Sequence, residues 1–251
     1  MKNIFHKKSL ALFMATHIVL CAPFANADEK MHQHSEEPMH GHGNDPIISK
    51  VMIDELELSD SNNSGSLKSQ VWVGTDINKL WLKLDGEKYQ GATENLEAQA
   101  LFSRAISTYW DFQTGIRTDI KPSPSRNWGV IGVKGLAPYF FDIDAAVFIG
   151  ESGASAARIS AEYDILFTQR LILTPEIEVN FYGQNNQKKG TSTGLSDLNT
   201  GLRLRYELRR EFAPYVGVSW SKKFGKAADF ATTENKQPEE TNWVLGIRAW
   251  F

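Results

Sequence analysis

Histidine is missing from most of this chain. All six fall at or before position 42: His6 and His17 near the start, then His32, His34, His40 and His42. From Gly43 to Phe251 the protein must work without an imidazole. That excludes Ser-His and Cys-His nucleophilic catalysis, His-based acid–base chemistry and the common zinc-enzyme sites from the main body. Cysteine is rarer still, with Cys21 alone, so no disulfide framework can form within the chain. Methionine is scarce as well: beyond the N-terminal segment only Met31, Met39 and Met52 remain. A basic excess is also lacking, since the formal net charge is −3. No basic patch of the nucleic-acid type is visible, and no nucleic-acid partner is expected. Nor does any stretch carry a sustained helical period with caps.

Residues 1–27 read as a secretory signal. Lys2, Lys7 and Lys8 supply a basic start, Ser9 to Ala22 is largely apolar, and Ala25-Asn26-Ala27 fits the small-x-small cleavage pattern. The apolar stretch is too short for a transmembrane helix, which needs roughly 20 residues. Cys21 would invite lipid modification, but Val19-Leu20 before it lacks the small residue such a site wants. Residues 28–46 follow as a polar tail rich in His, Met, Glu, Gly and Pro, with almost nothing to bury, so disorder is expected there.

From residue 47 to 251 the texture changes to short alternating segments. Pro175, Ile177, Val179 and Phe181 alternate with Glu176, Glu178, Asn180 and Tyr182. Leu198 to Leu208 alternates with Asn199, Gly201, Arg203, Arg205 and Glu207. A period of two is the signature of strands with unlike faces. Twelve segments can be written, at roughly 47–58, 67–76, 79–88, 95–106, 108–119, 127–136, 139–150, 155–168, 171–183, 196–208, 212–224 and 242–251. The first is the weakest, because Val51 and Ile53 share a face with Glu55 and Glu57; if the first hairpin does not close the barrel, the count falls to ten. Tight connections near Ile77-Asn78, Ser107, Ala137-Pro138, Gln169-Arg170 and Arg210-Glu211 alternate with longer ones such as 184–195 and 225–241. Long strands with short/long connections predict an all-β fold: a transmembrane antiparallel up-and-down β-barrel solvated by outer-membrane lipid.

In such a barrel the faces invert relative to a water-solvated one. The last segment places Trp243, Leu245, Ile247, Ala249 and Phe251 on one face, and outer-membrane proteins commonly finish on such a phenylalanine. Trp81, Tyr109, Trp110, Trp128, Tyr139, Trp220, Trp243 and Trp250 are expected at the membrane interfaces. The inward face collects Asp111, Arg117, Asp142, Asp144, Arg158, Glu162, Asp164, Glu176, Glu178, Arg203, Arg205, Glu207 and Arg248. One reading is structural, with opposite charges pairing across the lumen. The other makes Asp142, Asp144, Glu162, Asp164, Glu176 and Glu178 a lumen path for a cation. Carboxylates alone are a poor match to a soft metal.

The tail offers different chemistry. Met31-His32-Gln33-His34 and Met39-His40-Gly41-His42 each set two imidazoles at i, i+2 behind a thioether. Imidazole suits Cu(II), zinc and nickel, while thioether selects Cu(I), so Met31, His32, His34, Met39, His40 and His42 are the candidate metal ligands, with copper favoured. The plainer alternative is a chance His-rich linker or a generic divalent-metal sponge.

Several blocks resemble a known family. Trp72-Val73-Gly74-Thr75-Asp76, Thr108 to Gly115 (TYWDFQTG), Gly135 to Asp142 (GLAPYFFD), Ser160 to Asp164 (SAEYD), Gln169 to Pro175 (QRLILTP) and Phe212 to Gly217 (FAPYVG) are similar, in order, to the copper-resistance protein B family. The resemblance runs over nearly all of 47–251. It implies an outer-membrane barrel of a bacterial copper-resistance system, working alongside a periplasmic multicopper oxidase. Some relatives carry a long Met- and His-rich N-terminal region; here only two clusters stand. The expectation is therefore a non-enzymatic outer-membrane protein that sequesters periplasmic copper, in an oxidation state left open, and exports it through the barrel. The tail and the C-terminus would face the periplasm. The competing expectation is a general porin or structural barrel with an incidental His-rich tail. An outer-membrane enzyme acting on lipid would need a Ser/Asp/Arg constellation.

Overall fold

The computed structural model describes residues 46–60 and 64–251. The segment expected to be a secretory signal, and the expected tail with Met31, His32, His34, Met39, His40 and His42, lie outside the described residues. Thirteen strands form one sheet among them. In chain order they are β1 (Ile48–Ser59), β2 (Gly65–Gly74), β3 (Asn78–Tyr89), β4 (Ala92–Ser107), β5 (Trp110–Lys121), β6 (Arg126–Ala137), β7 (Phe141–Gly150), β8 (Ser155–Glu162), β9 (Ile165–Leu166), β10 (Leu171–Tyr182), β11 (Gly194–Tyr206), β12 (Phe212–Lys223) and β13 (Glu239–Trp250).

Each strand pairs antiparallel with its neighbours, and the sheet closes because β1 pairs with both β2 and β13. Met52 lies opposite Trp250 and Ile53 opposite Ala249. Beside them Val51 and Phe251 exchange two backbone hydrogen bonds of 2.9 and 2.8 Å. β8 and β9 are two pieces of one stave, so the closed barrel has twelve staves rather than ten. The stave breaks opposite Pro175, which has no N–H to give to the ladder. Its register with β10 is nevertheless continuous, from Glu176 opposite Glu162 to Ile172 opposite Leu166.

The ambiguity in the first segment also resolves. A bulge near Asp54 shifts the register against both neighbours. It inserts one residue and so exchanges the faces. Before it the odd-numbered Val51 is exposed; beyond it Leu56 and Leu58 are exposed and the odd-numbered Glu55 and Glu57 are buried.

The end where β1 begins and β13 finishes carries the connections at 75–77, 108–109, 138–140, 167–170 and 207–211, all tight as expected. The opposite end holds the two long connections, 183–193 and 224–238, but also short ones at 90–91, 122–125 and 151–154. The short/long contrast is thus confined to the second half of the chain. Gln90 and Gly91, both at positive φ (50° and 84°), close β3 to β4 in a two-residue hairpin of the primed-turn kind. The connection 224–238 also contains a helix, α1 (Lys226–Thr233), that the hydrophobic periodicity does not reveal. It is short, and only Ala227 and Ala231, one turn apart, are buried.

Polarity is inverted throughout. Leu58 is 72% exposed and Ile116 63%, whereas Glu57 and Arg117 are each 5% exposed. Strands of mostly 12 residues at about 3.3 Å each give roughly 40 Å, and a tilt of about 40° leaves roughly 30 Å along the axis. That matches the hydrocarbon core of a bilayer. No helix among the described residues is long and apolar enough to cross a membrane; the strands cross it. A charge placed on the outer face should be costly at mid-depth. Ile116→Arg is expected to destabilise the lipid-embedded barrel by about 2–4 kcal/mol, read as a lower urea midpoint in reconstituted vesicles, and an unchanged midpoint would place Ile116 out of the lipid.

Candidate functional site

The inward faces carry charge on almost every stave, and alternation is what puts it there. A strand that must present Leu, Ile and Val to lipid has only its other face for Glu, Asp, Lys and Arg. The resulting ion pairs fall into three groups.

The first centres on Arg203 of β11. Its guanidinium reaches Glu57 at 2.6 Å and Glu55 at 3.2 Å, both on β1, and Glu176 of β10 at 2.5 Å. Lys68 of β2 joins Glu176 at 2.8 Å and Glu55 at 3.1 Å. The Tyr215 hydroxyl donates to Glu57 at 2.9 Å. Gly246 makes this possible, because a Cβ there would collide with the Tyr215 ring at 2.5 to 2.8 Å.

The second group lies toward the long loops. Arg117 of β5 pairs with Glu97 and Asp119, each at 2.7 Å. Arg158 of β8 donates two bonds to Glu97, at 3.1 and 3.0 Å. Both guanidinium groups sit over the Phe148 ring, at 4.5 and 5.7 Å from its centroid, so an apolar ring supports the cations while the carboxylates satisfy them. Asp119 also accepts from the Trp128 indole at 2.9 Å and from Lys189 at 3.3 Å. Lys189 belongs to the connection 183–193, so that loop is tied into the lumen. Lys236, in the connection 224–238, reaches Glu94 at 2.8 Å and Glu234 at 3.4 Å. Partial burial pulls its ammonium downward, but these two carboxylates outweigh it and hold the group above the usual lysine range.

The third group lies toward the end holding Ile48 and Trp250. Asp144 pairs with Lys83 at 2.7 Å and Lys134 at 3.8 Å. Lys79 pairs with Asp111 at 3.2 Å. Arg205 pairs with Asp164 at 2.6 Å and Arg248 with Glu162 at 2.9 Å.

Asp142, Asp144, Glu162, Glu176 and Glu178 line the lumen, Asp164 pairs with Arg205 without lining either lumen cavity, and the six do not converge. Glu176, Asp144, Glu162 and Asp164 each hold a cation within 3 Å. Glu178 has Arg158 at 3.7 Å and accepts from Asn180 at 2.9 Å. Asp142, opposite Glu162, is exposed. Among the described residues no group of three or more His, Cys, Asp and Glu side chains could hold a metal ion.

Some placements differ from the sequence reading. Trp81 and Trp128 do not join the membrane interfaces: they are 8% and 3% exposed and pack inside with Leu101, Val130 and Phe148. The reason is parity, since Trp81 shares a face with Lys83 and Trp128 with Val130 and Lys134. Tyr109, Tyr139, Trp243 and Trp250 do lie exposed. Glu207 falls just beyond β11, where its N–H donates to the Arg170 carbonyl. Sequence reasoning missed Glu55, Glu57, Lys68, Lys83, Asp85, Glu97 and Asp119. The bulge concealed the first two; the strand parity used elsewhere could have found the rest.

Two cavities remain between the charges. One of about 180 Å³ lies toward the Ile48 end and is lined by Asp54, Asp142, Asp144, Glu162 and Arg248, among others. The other, of about 440 Å³, lies under the long loops, with Arg117, Asp119, Lys189 and Lys236 in its wall.

Comparison with known proteins decides what this barrel is. The family described as "Copper resistance protein B precursor" matches residues 47–251, the whole of the barrel. The chain belongs to that family. Copper resistance protein B of Escherichia coli is 44% identical over 203 residues, covering 80% of this chain and 69% of the relative. The homolog from Pseudomonas syringae pv. tomato is 43% identical over 207 residues, covering 82% and 70%. Among solved structures the NanC porin superposes with a TM-score of 0.54 at 9% identity, over 80% of this chain and 99% of its own, which speaks to the fold alone. Membership of the copper resistance protein B family, with a lipid-facing exterior and a charged lumen, makes this an outer-membrane barrel of copper resistance.

The three-carboxylate grip of Arg203 should dominate lumen stability. Arg203→Met leaves Glu57 and Glu176 without their strongest partner. It is expected to cost about 3–5 kcal/mol, measured by urea unfolding in detergent micelles, with Arg203→Lys intermediate. Stability equal to that of the unsubstituted barrel would show that Lys68 and Tyr215 suffice.

Proposed function

We propose that the protein is a non-enzymatic outer-membrane copper-binding protein. Met31, His32, His34, Met39, His40 and His42 capture periplasmic copper, and the barrel carries it outward. On this reading both ends of the barrel sequence face the periplasm, and the long connections 183–193 and 224–238 face the exterior. Periplasmic multicopper oxidase, the partner that family resemblance implies, would meet the protein on the tail's side.

One observation carries this reading. Most lumen carboxylates are held by lysine or arginine, Met52 is the single thioether among the described residues, and those residues contain no metal-gathering cluster. Soft-metal recognition in a family named for copper resistance is then left to the imidazoles and thioethers before residue 43. The lumen wall carrying Asp142, Asp144, Glu162, Asp164, Glu176 and Glu178 would act as a weakly binding route. Weak, multi-site binding is what conduction requires.

Replacing His32, His34, His40 and His42 together with Ala is expected to abolish high-affinity copper binding by the purified full chain in calorimetric titration, while leaving barrel folding intact. The same variant should lower survival of a deletion strain on copper medium relative to complementation with the unsubstituted gene. Unchanged affinity and stoichiometry would refute the tail as the capture site. Unchanged survival, with binding lost, would separate capture from resistance.

A further inference from the structure

The two lumen cavities meet at a single layer. Glu55, Lys68, Asp85, Arg158, Glu176 and Glu178 line both of them, so these side chains form the partition between the two spaces. Strand register sets part of this layer at a common height: Glu55 lies opposite Lys68, Lys68 opposite Asp85, and Asp85 opposite Glu97.

Three cations hold the partition, and they are not equivalent. Arg203 grips three carboxylates, and its side chain is 12% exposed. Arg158 makes a two-pronged bond to Glu97, donates to Asn180 at 2.9 Å, rests on Phe148, and is 19% exposed. Lys68 has one nitrogen on a flexible stem. It reaches from β2 across the lumen to Glu176 on β10, with Glu55 as its second partner, and is 34% exposed. A planar guanidinium bound through several N–H groups is fixed by geometry, whereas an ammonium is a point charge that can swing away and be hydrated. Lys68 is therefore the cation of the layer that can leave at least cost. Around it the carboxylates are incompletely matched: among the described residues Asp85 closes no salt bridge, and the nearest cation to Glu178 is Arg158 at 3.7 Å.

We propose that Lys68 is the movable closure of the lumen. Its withdrawal from Glu55 and Glu176 joins the two cavities into a passage, and the carboxylates it leaves behind make that passage selective for cations. The inference rests on the lumen route proposed above and names its control point. A ring of carboxylates with one counter-charge removed attracts small cations and repels anions. Arg203 and Arg158 stay in place and keep the walls from collapsing inward.

The test is conductance of the purified full chain in planar bilayers bathed in potassium chloride, with no copper present. The unsubstituted barrel should conduct poorly. Lys68→Gln should raise conductance several-fold and shift the reversal potential in a salt gradient toward that of potassium, while Lys68→Arg should remain at the unsubstituted level. A Lys68→Gln barrel that inserts and conducts like the parent overturns the proposal. So does opening with anion preference, and so does equal opening in the arginine variant. If Lys68→Gln fails to insert, the double variant Lys68→Gln/Glu55→Gln removes both sides of one pair and keeps the net charge of the layer. It too should conduct above the parent, and parental conductance would overturn the closure. Because potassium is the probe, failure of copper capture by the tail and failure of this closure are read separately.

Discussion

A sheet that lives in hydrocarbon cannot have an edge. An unpaired N–H or C=O there costs several kcal/mol, so the seam between β1 and β13 is the constraint on which everything else depends. Met52 opposite Trp250 and Leu58 opposite Leu245 close the ladder. Once it is closed, lipid claims the outer face and the alternation of each strand is forced to send polar side chains inward. The charged interior follows from closure rather than from any particular function. Function has to be sought in how those charges are arranged.

Their arrangement answers a second requirement. Charges confined in a narrow lumen are expensive unless paired and hydrogen-bonded, and a broken pair costs more than a complete one gains. Arginine meets that demand here better than lysine. Arg203 satisfies three carboxylates from β1 and β10, and Arg117 and Arg158 share Glu97 while lying against Phe148. The planar fork lets one side chain bind several strands, so these residues act as crossbeams between staves distant in sequence. Loop residues use the same currency. Lys189 ties the connection 183–193 to Asp119, and Lys236 ties the connection 224–238 to Glu94.

Much of this was legible in the sequence because a two-residue period is a local property. Leu202, Leu204 and Tyr206 alternating with Arg203 and Arg205 need no knowledge of neighbours, and the strand bounds follow within a few residues. Part of what failed depends on register, and part on parity left unread. The bulge near Asp54 reverses the faces of β1, and nothing in Ile53-Asp54-Glu55 announces the inserted residue. Trp81 and Trp128 look like interface aromatics by type, yet strand parity turns them inward, where Trp128 hydrogen-bonds Asp119. Pairing across the lumen was out of reach for a further reason. Arg203 and Glu57 are 146 positions apart, and only the stagger of the closed barrel brings them together. The tail is the reverse case: the reading proposed for it rests on the sequence alone, on Met-His-x-His written twice.

The contrast between tail and lumen bears on what a copper-resistance barrel needs. A soft site that gripped copper inside the lumen would retain it, since release from thioether and imidazole ligands is slow to the degree that binding is strong. A lumen whose carboxylates are mostly paired with lysine and arginine offers a cation many weak partners and no trap. Under the proposed division of labour, affinity is spent where copper is dilute, before residue 43, and is withheld where copper must keep moving. The absence of histidine from Gly43 onward is then a condition for passage. An imidazole introduced among Asp144, Glu176 and Glu178 would strengthen binding and slow export by the same substitution.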